Sequence, residues 1–375
     1  MIDFKNICKT IDGKPILKNI NISINKGELV VIIGPSGCGK TTTLKMINKL
    51  IKPTSGTIFI DGKNIEFEDD IKLRRNMGYV IQQTGLLPHL TVEKNISLIP
   101  SLEKITEEKI KQKVYELLKL VELNPEEYAH KYPHELSGGQ QQKVGIARAF
   151  AMNPEIILMD EPFSALDPIT RNQLQNEVFN IQQRLKKTVI FVTHDMDEAL
   201  KLGDRICIMK DGEIIQFNTP EQILRNPANE FVKEFIGKDK IWDQPELIKV
   251  KDIMIKDPVK CTPERTVLQS IQIMKSNHVD SVLVVDNQER LKGMVTLKNI
   301  RKKGENTTKL NDIMATDITT VNEDDSILDV LEKIQHLKIG YIPVVNKNCV
   351  LIGLITRSSL ISVLSNQFID KEVEL

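Results

Sequence analysis

Three short apolar runs, each cut off by glycine or polar residues, restrict what this chain can fold into. Leu29-Val30-Val31-Ile32-Ile33 leads into Gly34, Ile156-Ile157-Leu158-Met159 into Asp160-Glu161, and Val189-Ile190-Phe191-Val192 into Thr193-His194. Each run is too short for a helix and rich in β-branched residues, the pattern of a strand buried on both faces of a parallel sheet. In an open α/β sheet ligands bind at the carboxyl edge of the strands. Three polar strand ends therefore predict one composite site at one sheet edge. At 375 residues, with about 100–200 residues per domain, the chain has room for two or three domains.

Asp-Gly between apolar runs is a strong hairpin signal. It predicts one hairpin joining Thr57–Ile60 to Ile65 across Asp61-Gly62, and another joining Ile206–Met209 to Ile214-Ile215 across Asp211-Gly212. From about 84 to 152 the pattern turns helical. Ile110, Val114, Leu117, Leu118 and Val121 fall on one face, with Glu107 and Glu108 in the first turn, where carboxylates suit the helix dipole.

Beyond residue 240 an internal repeat begins. Asp252-Ile253-Met254 recurs as Asp312-Ile313-Met314, Val284-Val285 as Val344-Val345, Gly293 as Gly353 and Thr296 as Thr356, always 60 residues apart. Several matches at one offset mark a duplicated module. Each copy reads as strand, helix, strand, strand, helix. The resulting division is 1–240, a linker at 241–248, and repeats at 249–306 and 307–366.

Lys and Arg together number 51, as do Asp and Glu, so the chain carries no net charge and is not a strongly basic nucleic-acid binder. The five cysteines, at 8, 38, 207, 261 and 349, are scattered and show no CxxC spacing, which points to a reducing compartment. No stretch reaches the roughly 18 apolar residues of a membrane span, and Met1–Lys5 lacks a signal-peptide layout. The expectation is a cytosolic chain whose membrane role, if any, comes through a partner.

Gly34-Pro35-Ser36-Gly37-Cys38-Gly39-Lys40-Thr41 matches a phosphate-binding loop in full, directly after a strand. Its glycines let backbone N–H groups face phosphates, and the following helix offers its N-terminus to the anion. Lys40 is expected on the β- and γ-phosphates and the Thr41 hydroxyl on Mg²⁺. Cys38 reads as a small residue tolerated in the loop. Asp160-Glu161 places two carboxylates at the end of a buried strand, where isolated charges are strongly disfavoured. Asp160 is expected in the Mg²⁺ shell and Glu161 as general base. His194, at the same sheet edge, is expected at the γ-phosphate.

Leu136-Ser137-Gly138-Gly139-Gln140 supplies a second helix N-terminus for an anion, which suggests ATP shared between two chains. With this segment, the phosphate loop, Gln82, the strand ending at Glu161, Ser164-Ala165-Leu166-Asp167 and His194, residues 1–240 resemble the nucleotide-binding subunit of ABC transporters. The resemblance implies an α/β P-loop NTPase fold with an antiparallel β subdomain and a helical subdomain. It also implies ATP and Mg²⁺ as ligands, with Gly34 through Thr42 (including Thr42 itself), Ser137, Gly138, Gly139, Gln140 and Asp167 binding nucleotide. Thr41, Gln82 and Asp160 would hold Mg²⁺, and Lys40, Gln82, Glu161 and His194 would carry the catalytic roles.

It further implies a homodimer sandwiching two ATP molecules, a membrane permease and an extracytoplasmic substrate-binding protein. Gly85-Leu86-Leu87-Pro88-His89-Leu90-Thr91-Val92 resembles the importer class, in which this region borders the permease. Where many such proteins stack an aromatic ring on adenine, Ile11 stands here, giving apolar contact without a ring.

The duplicated 250–364 region looks like a CBS pair, an α+β regulatory module. The order of ABC ATPase then tandem CBS domains is similar to importers of quaternary amines such as glycine betaine, carnitine, choline or proline betaine. Another small solute, or a non-transport role in repair or translation, is the alternative. In CBS modules the ribose-binding pattern is Gly-x-x-Thr-x-x-Asp, whereas the copies here read Gly293…Thr296…Asn299 and Gly353…Thr356…Ser359. Asn299 keeps a group for a ribose hydroxyl and Ser359 is short for it. Small adenine nucleotides, cyclic di-AMP included, and ionic strength or the membrane surface are the candidate signals. The run Arg301-Lys302-Lys303 has no aromatic platform beside it, which disfavours nucleic acid.

Overall fold

Successive side chains of a strand point to opposite faces, so a strand apolar at every position needs a core on each side. Leu29–Ile33 has both. Leu29, Val31 and Ile33 face one apolar cluster with residues of the surrounding helices, while Val30 and Ile32 face a second built from the antiparallel sheet and the helix Lys40–Ile47. Ile157 and Met159 face the first cluster and Ile156 and Leu158 the second. Val189 and Phe191, and Ile190 and Val192, divide the same way.

The computed structural model describes residues 1–82, 85–237, 240, 247–303, 305–337 and 339–360, except for the side chain of Lys303. It divides into two units, Met1–Gly237 and Lys238–Leu375. Most of the expected linker (241–246) and residues 361–366 lie outside the described residues.

In the first unit the strands are β1 (Ile2–Ile11), β2 (Lys14–Ile24), β3 (Leu29–Ile33), β4 (Ser55–Ile60), β5 (Lys63–Asn64), β6 (Met77–Val80), β7 (Ile156–Asp160), β8 (Thr188–Thr193), β9 (Arg205–Lys210) and β10 (Glu213–Asn218). One sheet has the order β2-β1-β4-β5, the other β10-β9-β3-β8-β7-β6. In the second sheet β9, β3, β8, β7 and β6 run parallel, with Ile33 opposite Thr193 and Asp160 opposite Val192, while β10 closes the edge as a hairpin. The carboxyl ends of β3, β7 and β8 thus share one edge. The helices Val92–Leu102, Glu107–Leu120 and Gly138–Ala149 form a helical layer, and Ile110, Val114, Leu117, Leu118 and Val121 are all buried in the first cluster.

The hairpin expected at Asp61-Gly62 is shorter than the sequence suggests. Phe59 pairs with Asn64 and Ile60 with Lys63, but Ile65 opens a 3₁₀ turn instead of extending the strand. The Asn64 side chain is the cause, since its oxygen accepts from Glu66 N at 2.9 Å and caps the turn.

In the second unit, β11 (Ile255–Lys256), β12 (Lys260–Cys261), β13 (Ser281–Val285), β14 (Leu291–Thr296), β15 (Tyr341–Val345) and β16 (Leu351–Thr356) form two three-stranded sheets, β12-β13-β14 and β11-β16-β15. Helices Val267–Ser276 and Ile327–Leu337 occupy equivalent places in the two copies. The first strand of the repeat is only two residues long in the first copy. In the second it shrinks to a single bridge from Val321 to Val344. β11, from the first copy, pairs antiparallel with β16 of the second, and Ala315 of the second copy makes one antiparallel bridge to Met294 of the first. Among the described residues, no helix is long and apolar enough to cross a membrane.

Candidate active site

The loop between β3 and the helix Lys40–Ile47 admits no side chains at two of its glycines. A β-carbon on Gly34 would lie 2.1 Å from the Met209 carbonyl oxygen. Gly39 has φ 103°, and a β-carbon there would lie 2.4 Å from Leu17 Cδ2. Lys40 is 6% exposed, and its ammonium folds back to donate to the carbonyls of Gly34 at 2.7 Å and Pro35 at 3.1 Å. A cation satisfied by its own loop's carbonyls is one that a polyphosphate seated in the loop can recruit. Cys38 is buried in the same loop, and desolvation pushes its thiol above the ordinary range, so it lacks the thiolate character of a redox cysteine. Ile11 ends β1 and is 42% exposed beside the Asp12-Gly13 turn.

At the end of β7, Asp160 is buried and accepts from Thr41 Oγ1 at 2.8 Å. Desolvation raises the Asp160 pKa most and the charge of Glu161 adds to it, while Thr41, Lys45 and Lys40 oppose. A divalent cation fits this place, where it would offset the desolvation of Asp160, with a hydroxyl and a carboxylate oxygen already adjacent. Among the described residues no group of three or more His, Cys, Asp or Glu could hold a metal alone, as suits an ion that takes its other oxygens from phosphate and water.

Glu161 departs from the extended strand with φ 44°, a left-handed conformation uncommon outside glycine. Its N–H donates to Val192 O at 2.9 Å, and Ser164 Oγ donates to its carbonyl at 3.0 Å, which hold it there. Its Oε2 lies 3.2 Å from His194 Nδ1 and 3.4 Å from Gln82 Nε2. Two side chains, from the ends of β6 and β8, therefore converge on one carboxylate oxygen at the end of β7.

Ser137 caps the helix Gly138–Ala149 and forms a capping box with Gln140: Ser137 Oγ accepts from Gln140 N at 3.3 Å and Gln140 Oε1 accepts from Ser137 N at 2.9 Å. Gly139 is buried, and a β-carbon there would lie 2.5 Å from Thr170 Cγ2. Gly138 is exposed, and the nearest atom to a β-carbon there is Leu166 Cδ2 at 4.0 Å, so its own chain leaves that approach open. Asp167 caps the helix Pro168–Leu185, accepting from Ile169 N at 3.2 Å and Thr170 N at 3.0 Å.

Two residues of this region were not singled out from the sequence. Asn95, fully buried, and Arg148, in the last turn of the helix that Ser137 caps, hold Leu87 and Gly85 by hydrogen bonds. The signal for Arg148 was a charged residue set among apolar neighbours, and Asn95, between Lys94 and Ile96, gave none.

Comparison with known proteins agrees with this geometry. The ABC transporter family model matches residues 17–164 and the CBS domain model residues 250–306 and 310–366. The chain is 52% identical over 365 residues to the glycine betaine/carnitine/choline transport ATP-binding protein OpuCA of Bacillus subtilis (strain 168), covering 97% of this chain and 96% of that protein. The chain belongs to the ABC transporter ATP-binding proteins. This ABC-type ATPase is also 49% identical to the choline transport ATP-binding protein OpuBA of the same organism, covering 100% of this chain and 99% of that one. It is 40% identical to the osmoprotectant import ATP-binding protein OsmV of Salmonella typhimurium, covering 93% and 92%. Among solved structures, a dimeric ATP-binding cassette in a post-hydrolysis state bound to ADP and Pi is 40% identical, with a TM-score of 0.54, covering 59% of this chain and 99% of that one. ATP and Mg²⁺ are the ligands of an ABC ATPase.

Proposed function

We propose that this chain is the ATP-hydrolysing subunit that energises import of a quaternary ammonium osmoprotectant: glycine betaine, carnitine, choline or proline betaine. It works at the cytoplasmic face of the membrane with a separate permease, which the Gly85–Val92 region borders, and an extracytoplasmic substrate-binding protein. Residues 1–240 form the cassette, 241–248 a linker, and 249–306 and 307–366 the regulatory CBS domains. The observation that carries the solute class is the near-full-length relation to OpuCA, which pairs this cassette with this tail over 97% of the chain.

In the cassette, Gly34 to Thr42 wrap the phosphates. Lys40 leaves the Gly34 and Pro35 carbonyls for the β- and γ-phosphates. Thr41, Asp160 and Gln82 would hold Mg²⁺, which when bound neutralises charge on those phosphates. Ser137-Gly138-Gly139-Gln140 and Asp167 of a second copy close the site, which is supported by the open approach to Gly138. Ile11 covers adenine by apolar contact. Glu161 accepts the proton of the attacking water, with its Oε2 oriented by Gln82 and His194, and His194 then reaches the γ-phosphate.

In the tail, an adenine nucleotide such as cyclic di-AMP sits at the CBS pair. Asn299 gives one oxygen to Thr296 N at 3.2 Å and to the Thr296 hydroxyl, which leaves its amide donors for a ribose. Ser359 is used up on the backbone of Thr356. The test is uptake of labelled betaine, carnitine and choline at high and low osmolarity in cells deleted for this chain. Loss of uptake, restored by the wild type but not by Lys40→Ala, is expected, and uptake unchanged by the deletion overturns the reading.

A further inference from the structure

The segment from Gly85 to Thr91 is pinned from two sides by polar side chains outside the phosphate chemistry. From the helix Val92–Leu102, Asn95 accepts from Leu87 N at 2.7 Å and donates to the carbonyls of Leu87, Leu90 and Thr91 at 3.0–3.1 Å. From the last turn of Gly138–Ala149, Arg148 Nη1 donates to the Gly85 carbonyl at 2.7 Å. Gly85 itself has φ 56°, and a β-carbon there would lie 2.6 Å from Ile81 Cδ1, so its carbonyl is aimed by a conformation that favours glycine. Desolvation lowers the Arg148 pKa, a mark of a cation held where water is scarce. Such a group is retained at a backbone carbonyl because a charge-assisted bond is strong and directional.

The other end of that same helix is Ser137, the residue offered to a second copy's nucleotide. Its 12 residues span about 18 Å at the usual rise of about 1.5 Å per residue. We propose that Arg148 is a positioning residue that locks the Gly85–Thr91 segment to the helix bearing Ser137-Gly138-Gly139, so that nucleotide capture at one end and the permease-bordering segment at the other move as one body. This rests on the reading of the chain as an importer subunit. Its chemistry is that of a rigid link: the helix carries the displacement, Arg148 transmits it to Gly85, and Asn95 keeps residues 87–91 in one conformation.

The test uses the assembled transporter in vesicles, with ATP hydrolysis measured with and without transported solute. Arg148→Ala is expected to leave basal hydrolysis and thermal unfolding within about twofold and a few degrees, while cutting solute stimulation about tenfold, within the range of typical coupling energies. Arg148→Lys, which keeps a donor, is expected to restore part of it. Gly85→Ala, which moves the carbonyl and leaves Arg148 intact, is expected to match Arg148→Ala and keeps the test open if Arg148 proves necessary for folding. In the Glu161→Gln background, ATP is expected to slow amide exchange at residues 85–91, and Arg148→Ala to abolish that slowing. Wild-type stimulation in Arg148→Ala and Gly85→Ala overturns the proposal. A wild-type transporter that shows no stimulation by any quaternary amine overturns the importer reading first, and the proposal with it.

Discussion

Met254 lies on Gly353. A β-carbon built on that glycine would come within 2.6 Å of the Met254 sulfur, and Gly293 stands in the same relation to Met314, also at 2.6 Å. Each methionine belongs to one repeat and each glycine to the other. The repeated methionines and glycines therefore meet between the copies, whereas Val284 and Val344 pair with Gly293 and Gly353 within each. Gly353→Ala and Gly293→Ala are each expected to destabilise the tail by about 1–3 kcal/mol through overpacking. Shortening the opposing methionine should return part of the loss, with a coupling of about 0.5–3 kcal/mol between Met254→Ala and Gly353→Ala. Calorimetry of the full chain measures it, and additive effects would rule the shared contact out.

Glu161 is the second point of test. With Gln82 and His194 both within 3.4 Å of its Oε2, replacement by glutamine keeps the shape and removes the base. Glu161→Gln is expected to lower turnover by about 10²–10⁴, the usual worth of a positioned base, while ATP still binds and a dimer accumulates. Turnover close to wild type would refute the assignment, and ATP-bound protein eluting as a monomer would refute the two-chain sandwich.

Lys40 gives an independent check on the phosphate loop. Its ammonium is satisfied by Gly34 and Pro35 without nucleotide, so Lys40→Ala should leave the ligand-free fold largely intact. ATP at about 100 times its dissociation constant should stabilise the wild type by about 2.7 kcal/mol. The same addition should leave Lys40→Ala unmoved in a thermal-shift measurement, and an equal shift would count against the role given to Lys40.

Much of this site could be read along the chain because its elements are local. A buried β-branched run, a glycine loop and a polar strand end each occupy a few consecutive residues, and parallel β3, β7 and β8 bring their ends to one edge by construction. What could not be read depends on partners far away in sequence. The left-handed backbone of Glu161 is held by the Val192 carbonyl of the neighbouring strand, not by a glycine. Arg148 meets Gly85 across 63 residues, and β11 is two residues long, too short to show any periodicity, with its partner about a hundred residues on. At Ile65 a local signal was outweighed by another local one, the Asn64 cap.

The stability of the fold in acid turns on Glu28. Its carboxylate takes Arg205 Nε on Oε1 and Arg205 Nη2 on Oε2 at 2.7 Å, and also accepts from Asn25 N at 2.8 Å. Burial alone pushes its pKa up, but the bonds from Arg205 and Asn25 outweigh it and the net shift is downward. A carboxyl whose folded pKa lies below its unfolded one, about 4.3, stabilises the fold fully above that value. The contribution disappears as pH falls through the folded pKa. Glu28→Gln should therefore be less stable than wild type at neutral pH, and the difference should close below about pH 4. Arg205→Lys should not substitute, because the guanidinium both forks onto Glu28 and stacks on Phe217, 4.1 Å from the ring centroid. Unfolding followed from pH 7 to pH 3 in the three proteins decides it. A stability gap between wild type and Glu28→Gln that stays constant with pH would show that the pair does not set the acid limb.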